Sequence, residues 1–108
     1  MYKKEDLDII TKIILDKIHF AKKIYLFGSY ANNTADNESD IDIAVLLSKQ
    51  IEWKERKDIL NYLYHETSKN GIDVDFVVKT ERNFNEEREL PTLSRIIYNE
   101  GKILWQTQ

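Results

Sequence analysis

Gly28-Ser29-Tyr30-Ala31-Asn32-Asn33-Thr34-Ala35-Asp36-Asn37-Glu38-Ser39-Asp40-Ile41-Asp42-Ile43-Ala44-Val45 is the stretch on which the fold turns. An apolar run, Ile24-Tyr25-Leu26-Phe27, leads into the Gly-Ser pair. A polar loop then delivers the chain into a second apolar run that begins Asp-Ile-Asp. Carboxylates at i and i+2 of a strand project from one face. A turn of small residues beside them offers backbone N–H groups and a hydroxyl, the donors that a phosphate takes.

Working outward, residues 5–20 place Leu7, Ile10, Ile13, Ile14 and Ile18 at helical spacing, opposite Lys12, Asp16 and Lys17, and predict an amphipathic helix. A short strand over 24–27 ends at Gly28, and 29–39 form a loop or a short helical turn. Over 40–47 the alternation is clean: Ile41, Ile43, Val45 and Leu47 share one face of a strand, and Asp40, Asp42 and Ala44 share the other. A second helix is expected over 51–69, with Trp53, Ile59, Leu60 and Leu63 inward and Asn70-Gly71 as its stop. The strand 72–78 repeats the earlier phase, with Ile72, Val74, Phe76 and Val78 on one face and Asp73, Asp75 and Val77 on the other.

The charged residues 79–89 read as a loop. Leu90-Pro91 opens a third helix with Leu93, Ile96 and Ile97 buried and Gly101 as its cap, and Ile103-Leu104-Trp105 is a final strand. The expected fold class is α/β (α+β). One small mixed sheet carries helices on its apolar face and acids on its exposed face, in a single domain over 1–108.

With 108 residues the chain has room for one compact domain, and at 42% hydrophobic residues it can bury a core. A net charge of −3 argues against general nucleic-acid affinity, which shows as a basic domain. There is no Cys, which excludes disulfides and thiolate metal sites. The N-terminus has no secretory h-region, and no apolar run approaches the roughly 18 residues that span a bilayer. A soluble, cytoplasmic protein with no membrane partner is expected.

An isolated Asp-x-Asp is most simply a solvated strand face. Here the acids follow a Gly-Ser turn, and further acids return in phase on another strand. Crowded carboxylates repel one another unless a cation neutralises them. Mg²⁺, a hard ion held by a few carboxylates together with substrate phosphates, suits such a site. His19 and His65 lie far from the motif and read as surface or boundary residues, so zinc does not fit. The matching chemistry is phosphoryl or nucleotidyl transfer, with two metal ions about 3.5–4 Å apart clamping the attacking and leaving oxygens. Asp40 and Asp42 would bridge the metals, an acid of the third strand would help to deprotonate the attacking hydroxyl, and Gly28 and Ser29 would position phosphates.

Gly28-Ser29, ten residues, then Asp40-Ile41-Asp42 resembles the Gly-Ser-x10-Asp-x-Asp signature of the DNA polymerase β-like nucleotidyltransferase superfamily. Val74-Asp75-Phe76-Val77 and the ending Ile96-Ile97-Tyr98-Asn99-Glu100-Gly101-Lys102-Ile103-Leu104 are similar to its minimal nucleotidyltransferase (MNT) branch, over roughly 7–105. The resemblance implies a palm-like fold, with Asp40 and Asp42 as the metal pair and Asp75 as the third carboxylate. Asp73 shares the predicted face, and a one-step shift of alignment would exchange the two. Many relatives carry a basic residue just after the Ala, where this chain has Asn32.

The resemblance further implies a Mg²⁺-dependent enzyme using ATP, most concretely an antitoxin that moves AMP onto a tyrosine of a cognate HEPN ribonuclease toxin. A length of 108 residues leaves no room for an acceptor-binding domain, so a hetero-oligomer with that partner is expected. Two alternatives stay open: neutralisation of the partner by contact alone, and a small-molecule nucleotidyltransferase acting as a dimer.

Overall fold

The computed structural model describes residues 1–107. The chain runs α1 (Lys4–Lys17), β1 (Ala21–Phe27), a single 3-10 turn (Gly28–Tyr30), β2 (Ile41–Leu47), α2 (Trp53–Lys69), β3 (Val74–Thr80), α3 (Glu81–Glu87), α4 (Leu93–Glu100) and β4 (Lys102–Gln106). The four strands form one sheet in the order β3-β2-β1-β4. β1 is antiparallel to both β2 and β4, whereas β2 and β3 are parallel, as a crossover through α2 requires.

The predicted mixed sheet is present, and its main core lies where the strand phases place it. Ile24 and Leu26, Ile41, Ile43, Val45 and Leu47, and Val74, Phe76 and Val78 pack against Ile10, Ile13, Ile14 and Ile18 from the first helical segment and Ile59 and Leu63 of α2. Gly71, after the α2 cap Asn70, has φ 74°, the left-handed conformation expected of a helix stop. His19 and His65 are exposed, as expected. Trp53 is 74% exposed, because it opens α2 instead of facing the sheet.

The opposite face is not bare. Tyr25, Phe27, Ala44 and Leu46 form a second, smaller core with Phe84 and Ile97, so α3 and α4 cover part of the face expected to be exposed. α3 lies inside the 79–89 stretch expected as a loop. Thr80 Oγ1 caps it by accepting from the Asn83 N–H at 3.1 Å, and Phe84 buries a ring that is 1% exposed. β3 also extends to Thr80, two residues beyond its expected end.

The third expected helix starts at Leu93 rather than at Leu90-Pro91, with Thr92 as its side-chain cap and Gly101 closing it. Ser94 and Ile97 are its buried residues, while Leu93 and Ile96 are 45% and 50% exposed. Polar ties draw α3 and α4 together where apolar ones are few. Glu87 Oε1 accepts from the buried Ser94 hydroxyl at 2.7 Å and pairs with Lys79 at 2.9 Å, which holds its carboxyl below the usual glutamate range. The Arg88 guanidinium lies 4.0 Å over the Tyr98 ring.

Phe84 is thus the one large side chain with which α3 enters the second core. Phe84→Ala is expected to cost about 3–5 kcal/mol, a large share of a small domain's stability. Urea unfolding followed by circular dichroism checks this.

Candidate active site

Two backbone events set the site. β1 ends at Phe27, whose register partner is Asp42 on β2, so the turn that follows lies beside the start of β2. On the other flank the parallel register places Asp42 opposite Asp75. Paired residues of neighbouring strands project from one face across a strand spacing of about 4.8 Å. The two carboxylates therefore stand side by side on the face that α3 and α4 partly cover.

Gly28 must be glycine for two reasons. Its φ is 72°, which side chains rarely adopt, and a Cβ at this position would run into Asp42 Oδ2. The turn then closes on itself: Ala31 and Asn32 N–H groups donate to the Gly28 carbonyl at 3.0 and 3.2 Å, and Thr34 N–H donates to the Ser29 carbonyl at 2.9 Å. Ser29 is half-buried at the head of this turn.

Burial and then the neighbouring carboxylates of Asp75 and Asp40 push Asp42 above the ordinary aspartate range. None of the three acids is ion-paired with a Lys or Arg among the described residues, although the chain carries 16 basic residues. Asn32 is exposed, with its Oδ1 accepting from Thr34 Oγ1, and supplies no positive charge.

Asp40 lies one step before β2 and is exposed. With Asp73, Tyr64, Thr67 and Ser68 it also lines a shallow depression of about 360 Å³ beside the C-terminal half of α2. Asp73 is engaged elsewhere: its N–H donates to Tyr2 Oη at 2.9 Å, and its Oδ2 accepts from the same hydroxyl at 3.4 Å. The register therefore brings Asp42 together with Asp75, with Asp40 near enough for its charge to be felt, while Asp73 is tied away. Tyr2 is a neighbour that sequence reasoning missed, since its partners lie 28 and 71 positions along the chain.

The donor set fits a hard divalent cation: all oxygen, mutually repelling and without a counter-charge. No three His, Cys, Asp or Glu side chains among the described residues are grouped tightly enough to hold an ion unaided. A cation here would complete its shell from water or phosphate oxygens, the usual habit of Mg²⁺.

The raised pKa has a signed consequence. The folded state holds the Asp42 proton more tightly than the unfolded chain does, so without metal, stability falls as pH rises through the interval above the ordinary aspartate pKa. Asp42→Asn should therefore raise the neutral-pH melting midpoint by a few degrees, with the gain vanishing at acid pH, where wild-type Asp42 is protonated. Added Mg²⁺ should stabilise the wild type and not the variant, as thermal melts at pH 4 and 7 would record.

Residues 8–108 match the family model described as polymerase beta, nucleotidyltransferase. The protein adenylyltransferase MntA of Shewanella oneidensis is 36% identical over 100 residues, covering 92% of this chain. The match spans 64% of MntA, just under two thirds of its length. Among solved structures, a toxin–antitoxin crystal structure with AMP-PNP aligns at TM-score 0.66 and 33% identity, over 94% of this chain and 73% of that one. A re-refined structure of the tri-AMPylated Shewanella oneidensis HEPN toxin with its MNT antitoxin aligns at TM-score 0.62 and 31% identity, over 97% and 73% of the two chains. No helix among the described residues is long and apolar enough to cross a membrane. A family match over nearly the whole chain, on a sheet that sets a Gly-Ser turn beside in-register aspartates, makes this protein a member of the polymerase beta nucleotidyltransferase family.

Proposed function

We propose that residues 1–108 act as one nucleotidyltransferase domain that moves AMP from ATP to a hydroxyl, most concretely a tyrosine of a partner HEPN toxin, in the cytoplasm. The observation that carries this reading is the in-register pair Asp42 and Asp75 beside the Gly28 turn, uncompensated by any basic residue. It is supported by the relatives, one a protein adenylyltransferase and another an antitoxin solved with an AMPylated HEPN toxin.

Asp40, Asp42 and Asp75 would hold Mg²⁺, which supplies charge neutralisation for the triphosphate and for the leaving oxygen. The Gly28–Tyr30 turn offers its backbone, and Ser29 its hydroxyl, to the β and γ phosphates. The Asp75 carboxylate, which is exposed, would take the proton of the attacking hydroxyl. That oxygen forms a new bond to the α-phosphorus. The bridging bond to the β-phosphate breaks, and its electron pair leaves with pyrophosphate. With Asn32 in place of a basic residue, the triphosphate's charge is met by the cation, so nucleotide affinity should depend steeply on Mg²⁺.

Incubation with α-labelled ATP, Mg²⁺ and the neighbour-encoded helical partner should place label on a partner tyrosine. Asp42→Asn and Asp75→Asn should each lower the rate by at least about a hundredfold, and Asp73→Asn far less. A wild type that transfers nothing, together with an Asp40→Ala/Asp42→Ala variant that still neutralises the partner, would favour contact alone.

A further inference from the structure

Ahead of α1, Tyr2 makes contacts that the proposed chemistry does not use. Its N–H donates to Tyr30 Oη at 3.3 Å, and its ring stands 5.9 Å from the Tyr30 ring, tilted by 44°. Its own hydroxyl accepts from the Asp73 N–H at 2.9 Å and lies 3.4 Å from Asp73 Oδ2. One residue thus joins the turn after β1, through its backbone N–H and its ring, to the residue that leads into β3, through its hydroxyl. These two segments carry Gly28-Ser29 and Asp75, and the sheet does not join them directly, because β2 lies between.

Tyr2 is itself held in place. Lys3 N–H donates to Asp6 Oδ2 at 2.7 Å at the start of α1, fixing the angle at which the chain leaves the helix. α1 is anchored by Ile10 and Ile14, both fully buried, and Tyr2 and Tyr30 pack against the same core. The tie therefore runs from a well-anchored helix to two short segments that are otherwise held by backbone hydrogen bonds, within the turn itself and from Ile41 N–H to the Asp73 carbonyl.

We propose that Tyr2 is a positioning residue of the transfer site: by bridging Tyr30 and Asp73 it fixes the span between the phosphate-binding turn and the strand that carries Asp75. This rests on the nucleotidyltransferase reading of that site. A hydroxyl bound at both lone pair and proton to one residue acts as a fixed strut. It also accounts for Asp73, whose carboxylate shares the acids' strand but serves to seat Tyr2. Misplacement of reacting groups by about 1 Å can cost on the order of a hundredfold in rate.

Two readouts test this on the full chain. Amide hydrogen exchange reports the tie without reference to activity: Tyr2→Phe, which loses the hydroxyl, should speed exchange at the Asp73 amide, and Tyr2→Ala, which also loses the ring, should speed it at Ala31, Asn32 and Thr34 as well. Transfer kinetics with Mg·ATP and the partner should show kcat lowered about tenfold by Tyr2→Phe and further by Tyr2→Ala, with KM for Mg·ATP moving much less. Asp73→Ala combined with Tyr2→Phe should cost less than the sum of the two single changes, because both weaken the same contact between the Tyr2 hydroxyl and residue 73. Unchanged exchange in Tyr2→Phe would overturn the tie, and faster exchange with wild-type kcat would overturn its positioning role. A wild type without transfer would count against the nucleotidyltransferase reading instead, and exchange would still decide whether the strut exists.

Discussion

Electrostatic repulsion between Asp42 and Asp75 is the constraint around which the molecule is arranged. Parallel pairing of β2 and β3 puts the two residues in register, and the common face does the rest. Burial and then the neighbouring carboxylates raise the Asp42 pKa, and no lysine or arginine is paired with either acid among the described residues. Like charges kept adjacent and unneutralised are eased by a cation, and that is the physical basis of the proposed site.

The rest of the chain serves to hold that conflict in place. The α2 crossover makes β2 and β3 parallel, and the antiparallel return of β1 brings the Gly28 turn against Asp42 from the other side. Only glycine allows so close an approach, since φ and the missing Cβ are both needed. The main core behind the sheet, from α1 and α2, makes the strands rigid. The smaller core of Phe84 and Ile97 closes the rear of the acid-bearing face, leaving the Asp42 end open.

Strand faces were legible in the sequence because a period of two, sustained over 41–47 and again over 72–78, has no other explanation, and the acids' shared phase implied their meeting. The resemblance preferred Asp75 to Asp73, but the sequence could not show the register that sets Asp75 beside Asp42, nor the contact of Asp73 with Tyr2, 71 positions away. α3 escaped notice because seven residues with one aromatic show no helical periodicity, although Thr80 is a cap signal three residues ahead of Asn83. α4 was placed correctly at its Gly101 end. Of its expected inward residues Ile97 is buried, whereas Leu93 and Ile96 are exposed and the small Ser94 occupies a buried position instead. Pattern reading assigns apolar residues to the core, and a marginal helix with polar ties departs from that rule.

The most direct measurement is a side-chain carbon NMR titration of Asp42 with and without Mg²⁺. The metal-free protein should show Asp42 losing its proton above the ordinary aspartate range, and Mg²⁺ should move that titration to lower pH. An Asp42 that titrates in the ordinary range and ignores Mg²⁺ would contradict a cation site built on the Asp42–Asp75 pair.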